Sequence, residues 1–395
     1  MNNSNNIDNK TDYQAQLFAN RLKKKYKELR KWARKNRISS YRLYDRDIPE
    51  IPVSLDLYEF LPDGVETPLE TARFISSQND KLSANEPGIE NEIKERLYAV
   101  LYLYERPYEK SEEEENKWLQ AMSLSAANTL GISEEHIITK SRGHKNHSNS
   151  EEENDVQYEK NNSVNEISGY TQELGQIFKL NLTNYLDTGL FFDHRPLRSL
   201  VRDTCSKKRV LNLFCYTGSF SVYAAQGNAA YVESVDLSNT YLNWTKDNMK
   251  LNGFTEKNKY IFTKSDCIYF LQEKAVAQKA LLSNPNDKEA KSKASTYDLI
   301  ILDPPTFSNS KKTNNVLDIN KQWPQLVKDC LNILNPGGTL YFSTNSERLK
   351  VDAGQLPPKT ISNKTFTVED ITSQTIPNDY AGSKPHRCWK FTLEN

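Results

Sequence analysis

Four short stretches in the C-terminal half of the chain place polar side chains and fixed backbone where ligand chemistry is done. Phe214-Cys215-Tyr216-Thr217-Gly218-Ser219 reads as a turn whose single glycine lets the backbone approach a ligand closely. Asp236, followed by Leu237, comes eighteen residues after Gly218, where a carboxylate suits a bidentate grip on two ribose hydroxyls. Asp266-Cys267 offers a carboxylate and a backbone N–H to the edge of a purine such as adenine. In Asp303-Pro304-Pro305-Thr306-Phe307 the prolines fix the chain and donate no hydrogen bonds, which leaves carbonyls to face a planar substrate. Each piece alone has an ordinary explanation, since an Asp at a strand end often caps the next helix and two prolines often begin a loop. Their order and spacing together carry the argument. A nicotinamide dehydrogenase is excluded, because the three-glycine phosphate loop is missing.

Strands must deliver these residues to one edge. RVLNLF (209–214), YVESVD (231–236), KYIFTKSD (259–266), YDLIILDPP (297–305) and TLYFSTN (339–345) read as strands. SVYAAQG, TYLNWTKDNMKLNG (240–253) and QLVKDCLNILNPGG (325–338) read as the helices between them, the last closed by Pro-Gly-Gly. Apolar strands alternating with helices predict a parallel sheet covered on both faces, with ligands beyond the carboxyl ends of its strands. TFTVED (365–370) and CWKFTL (388–393) fit an antiparallel closing pair.

The N-terminal half reads differently. Residues 1–16 are Asn-rich and are expected to be a disordered tail. Leu17 to Arg37 carries ten basic residues against Glu28, with Leu22, Tyr26, Leu29 and Ala33 at helical spacing. YRLYD (41–45), VSLDLYEF (53–60) and RLYAVLYLYERPY (96–108), with a helix near 115–130, suggest a small α+β domain over 17–195. A solvated, disordered insertion is expected at about 144–168, and a second polar insertion at about 282–296 within the 196–395 domain. Fifty-two Lys plus Arg balance fifty-two Asp plus Glu, but the acids cluster away from the basic helix, at Glu112–Glu115 and Glu151–Glu153. Lys23, Lys24, Lys27, Arg30, Lys31 and Arg34, together with Lys311 and Lys312, are therefore expected to meet RNA phosphates. Five cysteines without paired spacing fit a reduced compartment. With no membrane-length apolar run and no signal-peptide stretch at the start, a soluble cytoplasmic protein with no membrane partner is expected.

The turn, Asp236, Asp266 and DPPTF resemble motifs I to IV of class I S-adenosylmethionine-dependent methyltransferases. More narrowly, NLTNYLDTGLFFDHR (181–195), LNLFCYTGSFSV (211–222), VDLSNTYLNW (235–244), NMKLNG (248–253) and DPPTFSNSK (303–311) resemble the RlmK half of the bacterial RlmK/RlmL 23S ribosomal RNA guanine methyltransferases. Residues 18–50 and PHRCW (385–389) extend the likeness to both ends. The resemblance implies a mostly parallel Rossmann-like sheet with an antiparallel closing pair, S-adenosyl-L-methionine as cofactor, and guanine N7 of 23S ribosomal RNA, or a large-subunit precursor, as substrate. It implies that Phe214, Tyr216, Thr217, Gly218 and Ser219 face the methionine part, Asp236 and Leu237 the ribose, and Asp266 and Cys267 the adenine. Arg195 would pair with the methionine carboxylate. Asp303, Pro304, Pro305 and Phe307 would hold the base, with Asp303 also within reach of the cofactor. The fused relatives carry an N-terminal RNA-binding region and a second methyltransferase domain absent from this sequence, so a stand-alone RlmK-type protein is expected.

Two rivals remain. A cytosine-C5 methyltransferase would need a thiolate, and Cys215, Cys267, Cys330 and Cys388 qualify by type, though DPPTF itself has no Cys. A non-catalytic RNA-binding module with this fold would show damage to the first or fourth motif, and none is visible. The five His (136, 144, 147, 194 and 386) are scattered, so no metal site is assigned.

Overall fold

The computed structural model describes residues 2–105, 111–142, 165–309 and 316–395, the side chains of 2–8 and 309 excepted. The chain divides into two compact units, Met1–Phe192 and Asp193–Asn395. The division falls three residues before the 195/196 boundary read from the sequence, so Asp193, His194 and Arg195 belong with the second unit. The insertion expected over about 144–168 lies outside the described residues apart from 165–168.

The first unit is built on a four-stranded sheet of β1 (Ser40–Asp45), β2 (Val53–Glu59), β3 (Leu97–Tyr104) and β4 (Ile137–Arg142), in that spatial order. The first three strands run antiparallel, while β3 and β4 are parallel and need a crossover. Helix α4 (Glu112–Leu130) supplies it, started by a Ser111–Glu114 capping box and ended on left-handed Gly131. Helices α2 (Pro68–Ser83) and α3 (Ile89–Glu95) fill the β2–β3 connection. A hairpin of β5 (Ser168–Glu173) and β6 (Gln176–Asn181) turns on Leu174-Gly175, both at positive φ.

Helix α1 runs from Asn2 to Lys35, so the expected tail over 1–16 is corrected. Its apolar stripe buries Phe18, Leu22, Leu29 and Ala33 in one core with Tyr44, Val53 and Trp118. Gln14, inside the supposed tail, is 5% exposed. Its side-chain carbonyl accepts from Trp118 Nε1–H at 2.7 Å, and its amide donates to the Glu50 carbonyl. Asparagine has low helix propensity, and packing on α4 overrides it here.

The second unit carries seven strands in the order β14-β15-β13-β10-β7-β8-β9. They are β7 (Arg209–Leu213), β8 (Tyr231–Asp236), β9 (Tyr260–Lys264), β10 (Tyr297–Leu302), β13 (Leu334–Thr344), β14 (Phe366–Asp370) and β15 (Arg387–Leu393). β9, β8, β7, β10 and β13 are mutually parallel, and β15 and β14 close the sheet antiparallel. The five expected parallel strands and the closing pair are all present. Helices α5 (Arg195–Thr204), α6 (Ser219–Gln226), α7 (Asn239–Leu251), α8 (Cys267–Ser283) and α10 (Ile319–Asn332) complete the two-faced arrangement. Leu211, Leu213, Ile300, Leu302, Leu340 and Phe342 form the centre of its core.

Two local readings change. Helix α10 stops at Asn332, and Pro336-Gly337-Gly338 lies inside β13, where the register against β10 shifts. The polar stretch 282–296 holds the end of α8 and a short helix α9 (Lys288–Lys293) capped by Asp287, with Ala290 buried. Among the described residues no helix is long and apolar enough to cross a membrane.

Gln14→Ala removes the bonds to Trp118 Nε1–H and to the Glu50 carbonyl and should lower stability by about 1–3 kcal/mol. Urea denaturation followed by tryptophan fluorescence measures this. An unchanged midpoint would show that the Gln14–Trp118 bond contributes nothing to stability.

Candidate active site

The parallel strands end at one edge, and β7 is the point from which the chain winds outward in both directions: β8 and β9 on one side, β10 on the other. A crevice for a ligand belongs at such a reversal. The turn after β7 has an unusual backbone. Phe214, Tyr216 and Gly218 all take left-handed conformations, with φ of 54°, 51° and 75°. Two of these are bulky residues for which that region is costly. Bonds from three neighbouring elements hold the turn. The Phe214 N–H donates to Cys267 Sγ, the Cys215 N–H to the Val235 carbonyl, and the Tyr216 N–H to Asp236 Oδ2 at 3.1 Å. From α7, Thr245 Oγ1–H donates to the Tyr216 carbonyl and the Asn248 amide to that of Thr217. The Tyr216 ring lies edge-on to Tyr241, with centroids 4.6 Å apart. A side chain at Gly218 would put its Cβ 2.2 Å from Thr245 Cγ2, so glycine is required there.

Asp236 caps β8 with both oxygens engaged: Oδ1 accepts from Ser238 N–H at 2.8 Å and Oδ2 from Tyr216 N–H. Burial pushes its carboxyl up to about 6, against the pull of the backbone N–H groups of Ser238, Tyr216 and Leu237. Asp266 is the N-cap of α8, accepting from Ile268 N–H at 2.8 Å. Cys267 is buried beneath the turn, and its thiol is raised well above the ordinary range by burial.

Asp303 follows β10 with its side chain 26% exposed. Pro304 is buried, Pro305 is half-buried, and Thr306 Oγ1–H donates to Asn345 Oδ1 at the end of β13. Phe307 is 52% exposed, and it opens β11 (Phe307–Asn309), which pairs with β12 (Val316–Asp318). The sequence therefore located three strand-end acids, the turn and an open aromatic at one sheet edge.

Other expected roles change. Arg195 is buried, and its Nη1 donates to Asp379 Oδ1 at 2.9 Å in a nearly fully buried ion pair. That pair replaces the open guanidinium expected at a methionine carboxylate. On α1, Arg30 and Arg34 both reach Glu90, and Arg21 and Lys25 reach Asp47, which withdraws Arg30 and Arg34 from the expected phosphate-facing set. Lys23, Lys24, Lys27 and Lys31 are exposed. Lys311 and Lys312 lie outside the described residues.

The motifs in the sequence gave no sign of a histidine cluster that the fold assembles. His194 and His386 stack with centroids 4.4 Å apart and planes 14° from parallel. Asp193 Oδ2 lies 3.0 Å from His386 Nδ1 and 3.3 Å from His194 Nδ1. These three residues could in principle ligate an ion. Near-parallel rings, however, do not aim two in-plane lone pairs at one point, and Asp193 serves both as hydrogen-bond acceptor. Only the DHR and PHRCW elements hinted at them, and neither shows that they meet.

Residues 170–354 match the S-adenosylmethionine-dependent methyltransferase family. SMU.776, named a methyltransferase and solved with SAH, is 18% identical, with a TM-score of 0.62 over 96% of this chain and 81% of that one; it shares the fold. The second unit is thus a class I S-adenosylmethionine-dependent methyltransferase, and S-adenosylmethionine is its cofactor. Ribosomal RNA large subunit methyltransferase K of Neisseria meningitidis is 36% identical over 95% of this chain and 86% of its own length, and the chain belongs to that family. Ribosomal RNA large subunit methyltransferase K/L of Magnetococcus marinus is 35% identical, and this chain spans 43% of its length. The donor set fits the cofactor: a half-buried carboxylate after β8 for a diol, a second acid after β9, and a backbone turn between them and β10.

Because the folded value of Asp236 lies above its ordinary 3.8, its favourable contribution to stability is complete below about pH 4 and lost as pH rises through 6. Asp236→Asn carries no such loss. Its stability relative to wild type should therefore improve between pH 4 and pH 7.5 in urea titrations, and a pH-independent difference would remove the strained carboxylate.

Proposed function

We propose that this protein methylates N7 of a guanine in 23S ribosomal RNA, or in a large-subunit precursor, in the cytoplasm. The observation that carries this reading is the open acceptor edge of Asp303, Pro304, Pro305 and Phe307 beside a methyltransferase turn, in a chain of the K family. The alternative chemistry, cytosine C5, calls for a thiolate. Cys205, Cys215, Cys267, Cys330 and Cys388 are all buried, and burial raises each thiol above the ordinary range.

Guanine N7 presents a lone pair in the ring plane and loses no proton on attack, so placement and exclusion of water do most of the work. S-adenosylmethionine, when bound, supplies an electrophilic methyl group on a sulfonium. Asp236 would accept the ribose hydroxyls, the 214–219 turn would line the methionine part, and the Asp266 carboxylate with the Cys267 backbone N–H at the start of α8 would face the adenine. The exposed Phe307 ring stacks on a base displaced from its neighbours. The Asp303 carboxylate accepts from the amide edge of the guanine, and Pro304 and Pro305 keep the chain between them stiff. Lys23, Lys24, Lys27 and Lys31 form the phosphate-facing row on α1.

Phe307→Ala should slow methyl transfer about 5–150-fold, the effect of losing about 1–3 kcal/mol of base stacking. Asp303→Ala should also slow transfer, and both should leave affinity for S-adenosylhomocysteine nearly unchanged. The product in digested RNA should be 7-methylguanosine by mass spectrometry; 5-methylcytidine, lost on Cys→Ser substitution, would overturn the assignment.

Replacing Lys23, Lys24, Lys27 and Lys31 with Gln should weaken RNA binding alike across sequences. The slope of log affinity against log salt should fall by about 0.7–0.9 for each phosphate that the helix no longer neutralises. Unchanged affinity and slope would make α1 a solvated surface only.

A further inference from the structure

His194 takes no part in the chemistry described above, yet it is buried directly behind the acceptor motif. It precedes α5, and its Nε2 lies 2.7 Å from Ser343 Oγ and 3.4 Å from Asp303 Oδ1. Its Nδ1 lies 3.3 Å from Asp193 Oδ2. Asp193 is in turn fixed by His386 Nδ1 at 3.0 Å, and His386 Nε2 sits 3.0 Å from Thr375 Oγ1. The imidazole thus stands between two carboxylates, one of which belongs to the DPPTF motif.

We propose that His194 is a positioning residue for Asp303: a buried imidazolium, oriented by Asp193 and His386, that keeps the motif's carboxylate aimed at the acceptor base. The proposal rests on the placement of Asp303 at the acceptor edge. Nδ1 faces the Asp193 carboxylate, and Nε2 lies between the Ser343 hydroxyl, which can donate or accept, and Asp303 Oδ1, so the doubly protonated ring is the form that serves both carboxylates. With Asp193 on one side and Asp303 on the other, the charged ring is balanced inside the unit, whereas a neutral ring would leave Asp193 without full compensation in a dry site. Burial alone would pull His194 down, but the carboxylates of Asp193 and then Asp303 outweigh it and hold the imidazole at about 10. Asp193 is correspondingly held well below the usual carboxylate range: burial opposes this, and the two histidines prevail.

The ionisable groups that face this centre come from three places. They are Asp193 and Arg195 beside it in sequence, Asp303 after β10, and His386 and Cys388 around the start of β15. Arg195 is taken up by Asp379, and burial raises the Cys388 thiol well above its ordinary value, so it stays neutral. The balance is set by two carboxylates and two imidazoles. Phe220 meets the His194 ring edge-on, with centroids 5.8 Å apart, and limits its rotation.

Two measurements test this. In wild-type protein, the His194 imidazole signals, assigned by their loss in His194→Gln, should show both nitrogens protonated at pH 8.5, where a free histidine is neutral. A neutral ring there overturns the proposal whatever any variant does. His194→Gln keeps a donor toward Asp303 and removes the charge. Its methyl-transfer kcat/KM, divided by that of wild type, should lie at least fivefold below one at pH 7.5 and rise toward one as pH passes about 10, where the wild-type ring loses its charge. The ratio cancels the contribution of Asp236, and S-adenosylhomocysteine affinity should stay within twofold of wild type. A ratio independent of pH overturns the proposal, because a residue that acts only in packing would give one. The assay can be read on whichever methylated base forms, so failure of the N7 assignment and failure of the His194 role remain distinct results.

Discussion

The left-handed turn from Phe214 to Gly218 is the constraint on which the second unit depends. Phe214 and Tyr216 occupy a region that costs a bulky residue on the order of 1–3 kcal/mol. The compensation arrives from elsewhere in the chain: the Cys267 sulfur from the first turn of α8, the Asp236 carboxylate from β8, and the Thr245 hydroxyl and Asn248 amide from α7. None of these partners is local in sequence. The turn therefore takes its shape only when β7 and β8 are paired in the observed register, Leu213 opposite Val235, and when β9 has delivered α8 beside them. Sheet register and site geometry are one property here.

The same dependence explains why the strand-end acids differ in character. Asp236 is tied to backbone N–H groups that it needs in order to hold the turn, and it lies where water is scarce, so its ionised form is strained. Asp266 caps a seventeen-residue helix and does so with an ordinary side-chain bond to the second residue beyond it. Asp303 has a histidine behind it and solvent before it. Three carboxylates at the ends of nearby parallel strands thus meet three dielectric environments. Each environment is set by what packs behind the strand end, while the acids themselves are interchangeable in the sequence pattern.

Much of this fold was readable because its signals are local. RVLNL and YDLIIL are strand-length segments rich in Val, Leu and Ile without strict alternation, as a sheet covered on both faces allows, and turn residues bracket each of them. Other features have no local signal. The N-terminal helix begins in poor helix formers and is held in part by Gln14 against Trp118, 104 residues away in sequence. The hairpin at Leu174-Gly175 lacks the Asn-Gly or Asp-Gly pair that marks such turns, so leucine bears the left-handed conformation. Pro336-Gly337-Gly338 looks like a helix stop and is a strand irregularity, because the β10 pairing resumes after it. Arg195 looked like an anion ligand because Asp379, which engages it, is 184 residues further on.

The histidine cluster shows the same limit most sharply, since Asp193 and His386 are 193 residues apart and only the closed sheet brings them together. Its charge suits the proposed reaction. Asp193, a protonated His194 and Asp303 sum to one negative charge at the acceptor side, and N7 methylation turns a neutral base into a cation. A net negative, pre-oriented group favours charge appearing in that place as transfer proceeds, and it reorganises little because the rings are stacked and buried. The cysteines point the same way by their chemistry: dry, protonated sulfurs pack the sheet and brace the turn, and none stands ready as a nucleophile. A site that needs no proton shuttle and no covalent intermediate can keep its ionisable groups buried and fixed, and the edge beyond β10 is built in that way.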